Sequence, residues 1–229
     1  MAAALFVSIG LNEAHATSPF QEGDFVRIPE LGDLEVQKNE ITYAQYTALE
    51  ALLPVTNQTP WKAQDCDITD SITRRDFGPN YPADCISFQD AETYIRVLNA
   101  QDPSYSYRLP TDDELKTLAD LTLESLRFNG TISEERLSRH FWYSTSRANE
   151  VCTKEPVLGL CDILGNLWEV TSTIYGSTGR YLRGVAFTWN AGHVRAAGFR
   201  SAVGSNRRSA TVGFRLVRTA KAENQSVGN

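Results

Sequence analysis

The order of patterns along the chain predicts an α+β fold. Capped amphipathic helices cluster in the first half, short segments divided by glycines follow in the second, and no βαβ alternation joins them. Three helices are announced by one device, a hydroxyl residue able to cap the first turn and a polar partner three places on. They are TYAQYTALEALL with Thr42 and Gln45, SFQDAETYIRVLNAQ with Ser87 and Asp90, and TDDELKTLADL with Thr111 and Glu114. In the second, Phe88, Ala91, Ile95 and Leu98 share one face, while Asp90, Glu92 and Arg96 point elsewhere; that face reads as core. Between the first two helices, Pro54 to Pro82 is rich in turn-forming residues. After residue 140 come LWEVTS, YLRGVAF, HVRAAGF and TVGFRLVR, and in the last Val212, Phe214 and Leu216 alternate with Thr211, Gly213 and Arg215 as in a half-buried strand.

With 229 residues, 41% hydrophobic and 22% charged, the chain suits one compact domain. A net charge of -6 argues against a nucleic-acid partner, because phosphate binding needs an excess of Lys and Arg. No apolar run reaches the ~18 residues of a membrane span. The start, MAAALFVSIGLNEAHA, reads as the apolar part of a secretory signal peptide over residues 1–16, with Ala14-His15-Ala16 as cleavage pattern; a buried N-terminal strand is the alternative. Residues 17–218 would then form the exported domain, periplasmic, cell-surface or secreted, and the polar stretch 219–229 a disordered tail.

Four cysteines fit export. Disulfides Cys66–Cys85 and Cys152–Cys161 would close two local loops, and free buried thiols are the alternative. With no C-x-x-C and only His15, His140 and His193, the chain holds no H-E-x-x-H zinc motif and no companions for a structural zinc. G-x-S-x-G and the P-loop are absent too, and no carboxylate pair suggests glycoside hydrolysis. What stands out is Arg180 to Arg200, RYLRGVAFTWNAGHVRAAGFR, which gathers four arginines, several aromatic rings and a histidine without a cysteine or carboxylate.

Asn39–Leu49 (NEITYAQYTAL), Tyr81–Asn99 (YPADCISFQDAETYIRVLN), Tyr107–Leu115 (YRLPTDDEL) and GLCDILGNLWEV, followed by RYLRG and VGFRLVR, resemble in order and spacing the formylglycine-generating, sulfatase-modifying-factor domain. The resemblance spans roughly residues 22 to 218. It implies a variant of the C-type lectin fold, with a small twisted antiparallel sheet, flanking helices and much irregular backbone. Family members often bind calcium near the GNLWE turn, which makes Asn166 and Glu169 candidate ligands; buried hydrogen bonding accounts for them equally well.

The resemblance also exposes a departure. Formylglycine-generating members carry two copper-binding cysteines after the RG element, and alignment places them at Trp189 and Val194. An indole and an isopropyl group cannot replace a soft thiolate pair at Cu(I). Sequence therefore favours a non-catalytic module that binds an unknown protein or glycan through Phe187, Trp189, Asn190, His193, Arg195, Phe199 and Arg200. Arg180 to Arg218 also resembles the variable region of retroelement-diversified proteins. The alternatives are an oxidoreductase or related enzyme with an unrecognised site, and an accessory subunit of an exported assembly. In a plainer reading of the segment, Phe187 and Trp189 share strand parity and both face the core.

Overall fold

The computed structural model describes residues 18–60, 66–67, 78–196 and 198–222. The expected signal peptide at 1–16 lies outside them, as does the tail from residue 223. The first sheet has strand order β1-β2-β10-β4, built from Phe25–Arg27, Glu35–Gln37, Val217–Ala220 and Tyr105–Arg108 as β1, β2, β10 and β4, all antiparallel. The second has order β7-β6-β5-β9, built from Ser201–Gly204, Gly179–Arg183, Trp168–Tyr175 and Val212–Gly213. Its β5 and β9 run parallel, so this sheet is not wholly antiparallel. A short parallel pair joins β3 (Cys66–Asp67) to β8 (Arg208–Ser209).

All three expected capping boxes form, and two of their acids serve a second partner. α1 (Tyr43–Thr47) is capped by Thr42 and Gln45, α3 (Phe88–Gln101) by Ser87 and Asp90, and α4 (Asp112–Leu126) by Thr111 and Glu114. Asp90 also accepts from Arg208 at 2.8 Å through both carboxylate oxygens, which ties the start of α3 to β8. Glu114 is gripped by both terminal nitrogens of Arg108, at 2.6 and 2.8 Å, so the Arg of RLPT locks β4 to α4. α1 is shorter than its pattern suggested: after five residues the chain passes into a 3-10 turn, Glu50–Leu52, and α2 (Val55–Gln58) follows Pro54.

Sequence periodicity missed α5 (Glu134–His140), although Ser133 caps it, acids fill its first turn and Arg139 and His140 its last. HVRAAGF is not a strand: Ala191–Arg195 forms the short helix α6. TVGFRLVR is not one half-buried strand either. It supplies β9 to one sheet and β10 to the other, and Phe214, Arg215 and Leu216 in between are fully buried, as is Val217 at the start of β10. Alternation fails there because the segment is enclosed on both sides, with Arg215 as well as its apolar neighbours inside. β10 also runs into the expected tail, to Ala220, and the Lys221 amide bonds the Ser104 carbonyl.

The core lies between the two sheets and α3 and α4. Tyr46 stacks on Tyr94 at 5.1 Å between centroids, and Tyr94 meets Phe214 edge-on at 5.8 Å. Trp168 is buried, as an anchor should be. Both expected disulfides are present, Cys66–Cys85 and Cys152–Cys161, leaving no free cysteine. No helix among the described residues is long and apolar enough to cross a membrane.

Replacing Cys152 and Cys161 together by serine is expected to lower the unfolding free energy by about 2–3 kcal/mol, the loop-closure entropy of so short a bridge. Urea unfolding of both proteins under oxidising conditions checks this; equal midpoints would contradict it.

Candidate ligand-binding surface

The surface is built from the buried end of α4 outward. Asp112, first residue of α4, is 4% exposed and accepts from Arg183 Nε and Nη2 at 2.6 and 2.8 Å. Arg183 Nη1 donates to the Gly198 carbonyl at 2.9 Å, so one guanidinium joins β6, α4 and the loop before Phe199. Arg200 Nη1 reaches the same carboxylate at 3.3 Å from the solvent side. Burial alone would push Asp112 up, but the two guanidinium groups outweigh it and hold the carboxyl below its usual range.

After Arg183 the chain turns sharply. Gly184 has φ of 99° and Val185 of 67°, the Gly165 amide donates to the Gly184 carbonyl at 2.7 Å, and the Phe187 amide to the Asn166 carbonyl at 2.7 Å. Gly165, itself at φ of 86°, could carry no side chain, because a Cβ would run into the Trp142 carbonyl. These bonds draw Phe187 inward to pack with Ala148 and Leu167 at 0% exposure. Phe187 is therefore structural and drops out of the expected ligand-contacting set.

The residues that follow form an aromatic floor. Trp189, His193 and Phe199 are half-buried and mutually in contact: Trp189 lies 4.4 Å from His193 and 5.1 Å from Phe199, and His193 lies 5.0 Å from Phe199. Trp168 supports them from beneath, 6.0 Å from Trp189 and 5.8 Å from Phe199. Trp189 thus stands between the core position and the exposed one. Asn190 is exposed but committed: its Oδ1 accepts from the Gly192 amide at 2.9 Å, capping α6, and lies 2.9 Å from His193 Nδ1. With Oδ1 accepting, Nδ1 carries the proton. Arg195 is bound to Glu134 at 2.8 Å and to the Ile132 carbonyl, which fixes α6 against α5; together with Tyr143 it holds Glu134 below the usual carboxylate range.

Arg200 lies 4.2 Å above the ring of Tyr181, which meets Tyr175 edge-on at 5.2 Å. Neither tyrosine was singled out by sequence, because a strand tyrosine carries no mark of the cation that will cover it. The structure thus brings Trp189, His193 and Phe199 together, sets Arg200, next in the chain, over Tyr181, turns Asn190 and Arg195 into supports, and buries Phe187.

Asn166 and Glu169 do not make a calcium site. Both Glu169 oxygens accept from Arg215, with contacts of 2.5 to 2.8 Å, and Arg215 also donates to the carbonyls of Gln37, Lys38, Cys161 and Asp162. Asn166, at φ of 55°, accepts from the Asn149 amide at 2.9 Å and turns its own NH2 toward the Asn149 carbonyl and Glu40. A cation is already present in the form of Arg215, and the amide oxygen is taken. Glu40 and Asp162 complete a buried group of three carboxylates around one guanidinium. Burial, then their mutual repulsion, raises Glu40 well above the ordinary value, and burial raises Asp162 to about 6. At the two positions aligned with the family's copper thiolates stand the half-buried Trp189 and the fully buried Val194, and every cysteine is disulfide-bonded.

The sequence matches the sulfatase-modifying factor enzyme 1-like domain over residues 9–220. No match to a curated protein was found. Among solved structures, variable protein 1 of Treponema denticola superposes with a TM-score of 0.60 at 20% identity, over 80% of this chain and 84% of that one. CarF gives 0.60 at 20% identity, over 82% and 87%. PvdO from Pseudomonas aeruginosa gives 0.62 at 16% identity, over 81% and 80%. These likenesses speak to the fold alone.

The buried carboxylates make stability depend on pH. A carboxyl raised in the folded state favours folding while protonated; for Asp162 that contribution is whole below its unfolded value of 3.8 and is lost as pH rises through about 6. Asp162→Asn keeps an acceptor for the Cys152 amide, suits the positive φ of 54°, and removes the charge. The variant is expected to gain on the order of 2 kcal/mol over the parent at pH 7.5 and almost none at pH 4. Urea titrations at several pH values test this; a difference that does not vary with pH would refute it.

Proposed function

The chain belongs to the sulfatase-modifying factor enzyme 1-like domain family, with its C-type lectin-like fold, and from that premise we propose that it is an exported, non-catalytic protein that binds a protein or glycan ligand through the surface of Trp189, His193, Phe199 and Arg200. One observation carries the reading. Trp189, packed with His193 and Phe199, stands at one of the two positions aligned with the thiolates of the family's oxidising members, buried Val194 at the other, and no free thiol remains in the chain. Half-exposed Trp and Phe beside Arg are the residue types that dominate binding hot spots, because they bury large apolar area at small cost in side-chain entropy. Two disulfides in a chain of 229 residues support an oxidising compartment.

A narrower version concerns how the surface arose. Arg183 is locked to Asp112 and Arg215 to Glu169, whereas Trp189, His193 and Phe199 are held by ring packing that other side chains can replace. A fixed ionic frame around exchangeable surface residues is what a diversified binder requires, and a variable protein is among the similar folds. A near-copy of the Arg180 to Arg218 coding region beside a reverse transcriptase gene, differing mainly at adenines, is the expected finding in flanking DNA. Its absence would leave a fixed single-ligand surface.

Trp189→Ala and Phe199→Ala are each expected to weaken capture from glycan and peptide arrays at least tenfold while leaving the far-UV CD spectrum unchanged, the loss of an aromatic hot spot being worth about 2 kcal/mol. Unchanged capture in both variants would refute the surface. Purified protein supplied with copper is also expected to give no oxygen-dependent oxidation of a peptide cysteine; turnover would restore the enzymatic reading.

A further inference from the structure

From Val170 to Ala222 the chain contains eight arginines and no Asp or Glu. Six of the arginines borrow a carboxylate of their own from elsewhere in the chain: Arg183 from Asp112, Arg195 from Glu134, Arg207 from Asp67, Arg208 from Asp90, Arg215 from Glu169 and Arg218 from Glu35. Two are left over. Arg200 has only the longer contact to Asp112, whose oxygens Arg183 already holds, and its side chain is 48% exposed. Arg180 has no carboxylate among the described residues; its guanidinium lies 3.9 Å above the ring of Phe88, and its buried Nε has no acceptor.

Both surplus cations adjoin the same strand. Arg200 immediately precedes β7, and Arg180 is the β6 residue opposite Val203 of β7. Among the described residues β7 is an open edge of its sheet. The other edge, β9, is closed, with Val212 buried and Gly213 so near the Ala83 carbonyl that a Cβ would lie 2.8 Å from it. In an antiparallel pair alternate residues turn their backbone groups away from the partner strand. No described residue bonds the outward amides or carbonyls of Ser201, Ala202 or Val203; only the Gly204 carbonyl is used, by the Arg207 amide. Ser-Ala-Val-Gly also lacks the lysine, proline or inward charge that normally guards an edge. Beside it a cavity of about 330 Å3 opens between Tyr175, Thr178, Val203 and Gly204, and Ile174 and Tyr175 of β5 are exposed at 60% and 52%.

We propose that the edge of β7 is a docking site for an extended acidic segment of a partner protein, which adds to the sheet as a fifth strand and places a carboxylate against Arg200. Backbone hydrogen bonds supply the pairing, the cavity takes an apolar side chain, and Arg200, held flat on Tyr181, presents its donor edge to the carboxylate. This assignment rests on the reading that Arg180 to Arg218 is a binding surface, and it names the class of ligand.

The test uses fluorescein-labelled octapeptides alternating Val with Glu, Gln or Lys, titrated into the intact protein by anisotropy. The Glu peptide is expected to bind at least tenfold more tightly than the Gln peptide and the Lys peptide not to saturate. Arg200→Gln is expected to bring the Glu peptide down to the Gln level while the far-UV CD spectrum stays that of the folded parent. N-methylation of the Glu-peptide amides at one parity is expected to weaken binding at least tenfold and at the other parity to leave it within about twofold, because only alternate amides of an added strand face the edge. Equal binding of the Glu and Gln peptides, an unaffected Arg200→Gln variant, or indifference to the parity of methylation would each overturn the proposal. If Trp189→Ala abolishes capture of an array ligand while the Glu peptide does not bind, the aromatic surface stands and the edge assignment falls. A sialylated glycan that binds with the same sensitivity to Arg200→Gln, in place of the peptide, would overturn the peptide class.

Discussion

Arg215 sits where the chain leaves one sheet for the other, and both sheets hang on its guanidinium. Its bidentate contact with Glu169 holds β5, its bonds to the Gln37 and Lys38 carbonyls hold the end of β2, and those to the Cys161 and Asp162 carbonyls hold the turn that leads into GNLWE. A guanidinium with no solvent contact is tolerable only when nearly all its donors are taken, and removing one partner of such a pair costs about 3–5 kcal/mol. The interaction also explains why this part of the molecule can do without regular structure. Side-chain and main-chain bonds to one fixed point replace the ladder that longer strands would provide.

The same economy recurs outward. Asp112 and Arg183 repeat the arrangement at the start of α4, Asp90 and Arg208 at the start of α3, and in each case the acid lies in the first turn of a helix, where the dipole favours negative charge. The acid-free stretch from Val170 to Ala222 is thus stitched by its arginines to acids of the rest of the chain. Each pair fixes one backbone turn, and between these points lie the positions whose side chains face outward. A frame made this way keeps its shape when a surface ring is exchanged, because no ionic contact runs through Trp189, His193 or Phe199. Arg195 is the exception on the rim, since its bond to Glu134 makes it part of the frame.

The loss of the thiolate positions has a plain structural counterpart. Val194 is enclosed as a core residue of α6, and Trp189 packs edge-on against Trp168, so apolar packing occupies both aligned positions. Trp189, His193 and Phe199 form a half-buried aromatic area above Trp168.

By itself the sequence determined the α+β order, the three capping boxes and the family, because each depends on residues close in the chain or on motifs of fixed spacing; it suggested both disulfide pairings, with free thiols as the alternative, and the structure decided them. It also singled out the segment proposed as a binding surface, through the absence of carboxylates among arginines and aromatic rings. It did not reveal that TVGFRLVR serves two sheets, that Arg215 is its largest fully buried side chain, or that both oxygens of Glu169 are spent on that arginine. Nor did it distinguish Phe187, drawn inward by the Asn166 carbonyl, from Trp189, which stays at the surface, or mark Tyr181 as the shelf beneath Arg200. Those outcomes rest on which groups meet across tens of residues: a buried charge is assigned by the partner that neutralises it, and only tertiary structure brings that partner within reach.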